Sequence, residues 1–202
     1  MAHPRAKPDS LSRLLAEIGA CRLCAEHLEP RPVLRVSRTA RILIAGQAPG
    51  LRVHKSGIPF SDPSGDRLRH WMGVDADTFY DESRIAIIPM GFCFPGYSPS
   101  GADKPPRREC ARAWRGPLLE ALPDFALTLV VGSYAQAWHL GSRAKPSLGE
   151  TVRAFAEYAP DIIPLPHPSW RNNAWLKKNP WFERDLLPYL RARVAALLCS
   201  AS

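Results

Sequence analysis

Four of the five cysteines are spaced in a way that suits metal binding. Cys21 and Cys24 form a C-x-x-C pair, and Cys93 and Cys110 lie much farther along the chain. Cys199 is not assigned to this set. The chain shows no export signal, and cysteines in such a chain favour a metal site over a disulfide framework. Four thiolates can hold zinc or a [4Fe–4S] cluster, and the spacing leaves both open. The alternative is that these cysteines are buried small hydrophobic residues.

Three further segments combine turn residues with groups that could do chemistry. Residues 46–50 read GQAPG, residues 56–65 contain Phe60 and Asp62, and His167 begins the segment HPSWRNN. Glycine lets a backbone approach a ligand closely, and proline fixes a turn. Phe60 could stack on a flat ring and Asp62 could act as a buried carboxylate. Alternatively, Phe60 anchors the core and Asp62 or Ser64 caps a helix.

Aromatic and basic residues alternate in the stretch that follows His167. They are Trp170, Arg171, Trp175, Lys177, Lys178 and Trp181. Such a mixture suits insertion into a nucleic-acid groove, because the rings can stack and the cations can contact phosphates. The alternative is a surface loop whose tryptophans only pack against the core.

The composition is that of an ordinary globular protein with a basic surface. The chain has 202 residues, of which 46% are hydrophobic, and 27 basic against 19 acidic residues give a net charge of +8. No apolar run reaches the ~18 residues of a membrane span, so we expect a cytoplasmic protein without membrane contact. A basic domain suits a polyanionic partner such as nucleic acid, because phosphate contacts release counterions.

Four short apolar runs bounded by Gly or Pro are predicted strands: Arg41–Gly46, Arg84–Gly91, Phe125–Ser133 and Asp161–His167. The predicted helices are Ser10–Ala20, Ser64–Trp71, Arg107–Leu122, Tyr134–Leu140, Leu148–Tyr158 and Trp181–Leu198. This alternation predicts an α/β fold with a doubly wound, mostly parallel sheet. Ligands of such folds bind beyond the carboxyl ends of the strands, where GQAPG, Cys93 and His167 are expected. Residues 1–9 are predicted to be a loose tail.

Together these motifs resemble the uracil-DNA glycosylase superfamily, most closely its iron–sulfur branch (families 4 and 5). The similarity extends from Cys21 to the last helix and includes GQAPG, the Gly57–Phe60 turn and the His167-Pro168-Ser169 segment. It implies a three-layer α/β/α fold with a central four-stranded, mostly parallel sheet, and one domain over residues 10–202. It also implies a monofunctional DNA repair glycosylase of base excision repair, which flips uracil out of DNA and hydrolyses its N-glycosidic bond.

The resemblance assigns a ligand set and further site residues. A [4Fe–4S] cluster is expected at the four cysteines and ranks above zinc; its ligands would be Cys21, Cys24, Cys93 and Cys110. Asp62 is expected near the sugar C1′ atom, and His167 is expected to donate a hydrogen bond to uracil O2. Phe60 would stack on the flipped base, and the backbone at Gln47 and Ala48 would line its pocket. Contacts with DNA are expected from Trp170, Arg171, Lys177 and Lys178. Single- or double-stranded DNA is the expected partner, and the protein is expected to be a monomer.

The sequence departs from the family pattern at two places. Family 1 and family 4 enzymes carry a carboxylate in the first motif, where this chain has Ala48 and Gln47. Family 5 instead uses an aspartate after the stacking phenylalanine, and Asp62 stands close to that place. The asparagine that reads uracil in many relatives is replaced by Pro89.

Three alternatives remain open. Uracil selectivity would come from backbone groups or from Gln47, Asn172 or Asn173, so hypoxanthine or xanthine could also be substrates. The chain could instead bind uracil-containing or abasic DNA without turnover, with His54 trapping the sugar, or be a nucleic-acid-binding metal protein that ignores base identity.

Overall fold

A single parallel sheet forms the centre of the fold. The computed structural model describes residues 10–199, so the predicted tail at residues 1–9 lies outside the described residues. The strands are β1 Ile42–Ala45, β2 Ile85–Ile87, β3 Leu127–Val131 and β4 Ile162–Leu165. Their order is β2-β1-β3-β4, and all three neighbouring pairs are parallel. In the register, Ile42 stands opposite both Ile85 and Leu127.

Helices flank the sheet and connect its strands. They are α1 Ser10–Gly19, α2 Leu51–Ser56, α3 Pro63–Met72, α4 Ala76–Tyr80, α5 Arg108–Cys110, α6 Gly116–Glu120, α7 Ser133–Leu140, α8 Leu148–Arg153, α9 Asn173–Lys178 and α10 Leu187–Cys199. Successive strand residues face opposite sides of a sheet. Ile42 and Ile44 accordingly join a core cluster with α3 and α10, whereas Leu43 joins a second cluster with α1 and α6. Both sheet faces are therefore covered, which confirms the three-layer α/β/α architecture and explains why the strands are apolar except at Thr128.

Three predicted helices are interrupted. The predicted Arg107–Leu122 helix contains a π-helical turn at Ala111–Arg115, between α5 and α6. The predicted Leu148–Tyr158 helix ends at Arg153 and continues as a 3₁₀ turn, and a second π-helical turn precedes α10. Each π turn adds a residue to the helical repeat and so rotates the side chains that follow.

Three helices were not predicted from the sequence, namely α2, α4 and α9. Each has only five or six residues, which is too short to display an apolar stripe.

Within residues 10–199, no helix is long and apolar enough to span a lipid bilayer.

Candidate active site

The loops after β1 and β2 are joined by backbone hydrogen bonds at the carboxyl edge of the sheet. Met90 N–H donates to the Gly46 carbonyl oxygen and Gly91 N–H donates to the Gln47 carbonyl oxygen, both over 2.9 Å. A Cβ atom on Gly46 would lie 3.3 Å from the Phe60 ring, so glycine allows that ring to pack against the end of β1. The GQAPG backbone, the β2 loop and the Phe60 ring therefore meet at one place.

The Phe60 backbone adopts an unusual conformation that its neighbours hold in place. Its φ is 53°, and the Tyr80 hydroxyl donates to its carbonyl oxygen over 3.1 Å. A Cβ atom on Gly65 would lie only 1.8 Å from that carbonyl oxygen, so this position requires glycine. The half-buried ring also contacts Phe79 edge to face, with centroids 6.2 Å apart. Phe60 therefore anchors the core, as its alternative interpretation held, while its ring borders the GQAPG loop.

Asp62 is the N-cap of α3, which confirms the helix-cap alternative for this residue. Its Oδ1 atom accepts a hydrogen bond from Gly65 N–H over 3.1 Å, and Pro63 occupies the first helical position. Arg67, one turn along α3, donates to the Ser169 carbonyl oxygen over 3.1 Å. This contact connects the helix capped by Asp62 to the loop that follows β4.

The His167 loop follows β4 and packs against the end of β3. Gly132, at the end of β3, has a φ of 85°, and a Cβ atom there would lie 3.9 Å from His167 Cβ. The Asn172 side-chain amide donates to the His167 carbonyl oxygen over 2.6 Å and closes the loop. His167 is thus held at the carboxyl edge of the sheet, as the sequence predicted.

His167 has a lowered pKa. Burial opposes the charged imidazolium and is the main cause; the Asp62 and Asp103 carboxylates act in the opposite direction, and Arg171 lowers the pKa further. His167 is therefore neutral at pH 7. The Asp62 carboxylate is therefore close enough to His167 to raise the pKa of its ring. The Asp103 carboxylate has the same effect, although the sequence did not indicate this residue.

Two of the three side chains predicted to read uracil, Asn172 and Asn173, have protein partners in this structure. The Asn172 amide donates to His167, and Asn173 Oδ1 accepts a hydrogen bond from Arg67 over 2.8 Å. Gln47 and Ala48 are half-buried in the loop after β1. Gly46, which precedes Gln47, borders the Phe60 ring, whereas the two asparagines stabilise the His167 loop.

The predicted DNA-contacting residues divide into exposed and packed groups. Trp170 is 73% exposed, and the Arg171 guanidinium lies 5.7 Å from the centre of its ring. Lys177 and Lys178 are exposed at the end of α9. Trp175 instead packs edge to face on the buried Trp181, so the packing alternative holds for this pair.

The four predicted ligand cysteines line one cavity, together with Leu23, Leu28, Pro30, Pro32, Gly91, Phe92 and Arg107. Two N–H groups point at the sulfurs. Trp114 Nε1–H donates to Cys21 Sγ over 3.2 Å, and Phe92 N–H donates to Cys110 Sγ over 3.3 Å. The C-x-x-C pair at Cys21 and Cys24 is thus brought to the same place as the distant Cys93 and Cys110.

The four thiols that line this cavity are half-buried. Burial raises the pKa of the Cys93 thiol to about 11 and that of Cys110 to about 12. Within residues 10–199, no three His, Cys, Asp or Glu side chains are close enough together to hold a single metal ion.

Arg115 lies under the β2 loop and was not identified from the sequence. It is fully buried and donates to the carbonyl oxygens of Ile88 and Pro89 over 2.8 and 2.9 Å. It also contacts His139 Nε2 over 2.6 Å. Burial lowers the pKa of Arg115 to about 10. An arginine in a helical segment usually faces solvent, so the sequence did not indicate that Arg115 would be buried.

His54 does not face the site as a free nucleophile. It is buried on α2, and its Nε2 atom lies 3.1 Å from Glu29 Oε2. This contact weakens the alternative in which His54 traps the sugar.

A comparison with protein families agrees with this geometry. A family model described as the Uracil DNA glycosylase superfamily matches residues 35–191, more than three quarters of the chain. The matched region includes the four strands, Phe60, Asp62 and His167. Cys21 and Cys24 precede it.

Proposed function

The chain belongs to the uracil DNA glycosylase superfamily, and from that premise we propose that it hydrolyses the N-glycosidic bond of uracil in DNA. The membership supports a DNA glycosylase of base excision repair as the general class of enzyme. One observation supports the proposal most strongly: half-buried His167 has a lowered pKa, and the Asp62 carboxylate is among the charges that act on its ring. A neutral donor and a carboxylate that acts on it match the two charges that develop when this bond breaks.

The proposed chemistry assigns one developing charge to each residue. When the C1′–N1 bond breaks, the sugar becomes oxocarbenium-like and uracil leaves as an anion. The Asp62 carboxylate stabilises the cation and orients water, and neutral His167 donates a hydrogen bond to uracil O2. Preorganised groups of this kind are often the largest contribution to catalysis, because they need no rearrangement during the reaction.

Phe60 and the exposed tip of the His167 loop have roles in base flipping. The Phe60 ring, fixed against Gly46, stacks on the flipped base and contributes ~1–3 kcal/mol. Trp170 or Arg171 fills the gap that the base leaves, and Lys177 and Lys178 contact phosphates. The exposure of Trp170 supports this role, because a wedge residue must reach into the duplex.

The base pocket must select uracil without the strand-two asparagine. Gly46 borders the Phe60 ring, and hydrogen bonds join the β2 loop to Gly46 and Gln47, so we propose that the Gln47 and Ala48 backbone and the β2 loop read the uracil edge. Asn172 and Asn173 contribute through the loop they stabilise. Release of hypoxanthine or xanthine at a comparable rate would identify a wider substrate range.

The experiment that tests the proposal is base release from a labelled single-stranded oligonucleotide with one uracil. His167→Ala should lower the single-turnover rate at least about tenfold while DNA binding is retained. His70→Ala, at an exposed histidine on α3, is the matched control and should keep the wild-type rate. Binding without any base release by the wild-type protein would favour the non-turnover alternative.

We also propose a [4Fe–4S] cluster held by Cys21, Cys24, Cys93 and Cys110. The four thiols share one cavity with apolar walls and two N–H donors to sulfur, and cluster sites use such hydrogen bonds to tune the bound group. The group would fix the segments around Cys93 and Cys110, so its expected contribution is architectural.

Metal analysis of the purified protein tests this second proposal. About four iron atoms and four acid-labile sulfides per chain are expected, with a brown colour that Cys110→Ser removes. Cys199→Ser is the control and should keep the iron. A colourless protein with one zinc per chain would contradict the cluster.

A further inference from the structure

Residues 96–104 form a compact hairpin that sequence analysis did not predict. Lys104 N–H donates to the Gly96 carbonyl oxygen over 2.9 Å, and Ser98 N–H donates to the Ala102 carbonyl oxygen over 2.7 Å. Tyr97 and Asp103 pair as an antiparallel bridge. The turn is closed by its own backbone, so the position of Asp103 is set by the hairpin.

Aromatic contacts attach this hairpin to the helix that follows the GQAPG loop. The Tyr97 ring contacts Phe94 edge to face with centroids 5.1 Å apart, and Phe94 lies 6.0 Å from the His54 ring. His54 is on α2 and is held by Glu29. The hairpin therefore rests on α2 and reaches the mouth of the site.

Asp103 projects from the hairpin to the GQAPG loop. Its Oδ2 atom lies 3.9 Å from the position that a Cβ atom would take on Gly50. It is also one of two carboxylates that act on the imidazole of His167, with Asp62 as the other. Asp103 therefore borders the site from the side of α2, whereas Asp62 borders it from α3.

The two carboxylates differ in what they already bind. Asp62 Oδ1 accepts the Gly65 N–H, which commits one oxygen to the helix cap. Asp103 is exposed, and no side-chain hydrogen bond or ion pair connects its carboxylate to another of residues 10–199. A free, accessible carboxylate can accept a hydrogen bond from water without giving up a structural contact.

We propose that Asp103 is a second catalytic carboxylate, which orients the attacking water and accepts its proton, while Asp62 stabilises the sugar cation. The inference rests on the proposed function. The two roles first assigned to Asp62, stabilising the sugar cation and orienting water, are here divided between Asp62 and Asp103. The C1′–N1 bond breaks and its electron pair leaves with uracil. The water oxygen bonds to C1′, its proton passes to the Asp103 carboxylate and then to solvent, and solvent protonates the uracil anion.

The test compares Asp103→Asn with wild type under single-turnover conditions, on a single-stranded oligonucleotide containing one uracil. General-base catalysis contributes about 10²–10⁴-fold, so the rate should fall at least about a hundredfold. Affinity for an oligonucleotide with 2′-fluoro-deoxyuridine, which resists hydrolysis, should stay the same or increase, because the variant removes a negative charge near DNA. Asp103→Glu should recover part of the rate.

Asp124→Asn is the matched control, since Asp124 is exposed at the opposite edge of the sheet, before β3. It should leave both rate and affinity unchanged. A rate for Asp103→Asn within threefold of wild type would overturn the proposal, as would a rate loss matched by an equal loss of affinity. Wild-type protein that releases no uracil would instead contradict the proposed function, so the two failures are distinguishable.

Discussion

The contact between buried Arg115 and half-buried His139 predicts a specific loss of stability in mild acid. Arginine has only N–H donors, so its contact with His139 Nε2 requires that nitrogen to accept and the imidazole to be neutral. Burial and the Arg115 charge lower the pKa of His139 to about 4. Protonating His139 would place two cations together beneath the Ile88 and Pro89 carbonyl groups.

The size of the effect follows from linkage. An unfolded histidine has a pKa near 6.5, whereas His139 in the folded protein has a pKa of about 4. Between these two pH values the unfolded chain therefore binds a proton at His139 that the folded chain does not bind. The stabilisation from neutral His139 is therefore complete above pH 6.5 and is lost as pH falls through that window. Between pH 7 and pH 5 the loss amounts to about 2 kcal/mol.

Urea unfolding at pH 7 and pH 5 measures this loss. The variant His139→Gln keeps an acceptor for Arg115 but cannot be protonated, so its stability should fall by about 2 kcal/mol less than that of wild type. His27→Gln, at an exposed histidine, is the control and should follow wild type. Identical pH dependence in wild type and His139→Gln would refute the reasoning.

Three other substitutions have defined outcomes. Gly65→Ala places a methyl group 1.8 Å from the Phe60 carbonyl oxygen and should lower the free energy of unfolding by at least about 2 kcal/mol. The control is Gly116→Ala, which has open space around it and should leave stability unchanged or increase it. Trp170→Ala should leave the urea midpoint unchanged but slow uracil excision from duplex DNA more than from single strands; equal slowing on both would contradict a wedge role. Trp114→Phe removes the N–H donor to Cys21 and should lower the reduction potential of the proposed cluster, measured by voltammetry; an unchanged potential would count against that hydrogen bond.

Much of the fold could be predicted because the strands are buried on both faces. Continuous apolar runs such as Ile42–Ala45 are easily recognised, and their alternation with helices implies parallel pairing. The strand order β2-β1-β3-β4 is set by how the helices pack, which no local pattern records. The π turn at Ala111–Arg115 also had no local signal, yet it turns Arg115 into the core.

The site was predictable where the chemistry lies in strand-end motifs. His167 follows β4 directly, and the turn before α3 contains both Phe60 and Asp62, so their placement follows from the sheet. Asp103 is different, because it reaches the GQAPG loop only through the closure of a hairpin between Gly96 and Lys104. The amide of Asn172 is a similar case, since its bond to the His167 backbone depends on the final shape of the loop.

The most direct test of the account is multiple-turnover uracil release by wild type and by Asp62→Asn. Asparagine caps a helix about as well as aspartate, so this variant removes charge while α3 keeps its cap. Asp75→Asn, at the equivalent cap of α4, is the control for that substitution. The account predicts turnover by wild type and Asp75→Asn, with a rate at least about tenfold lower for Asp62→Asn. An unchanged rate for Asp62→Asn, or no uracil release by the wild-type protein, would contradict it.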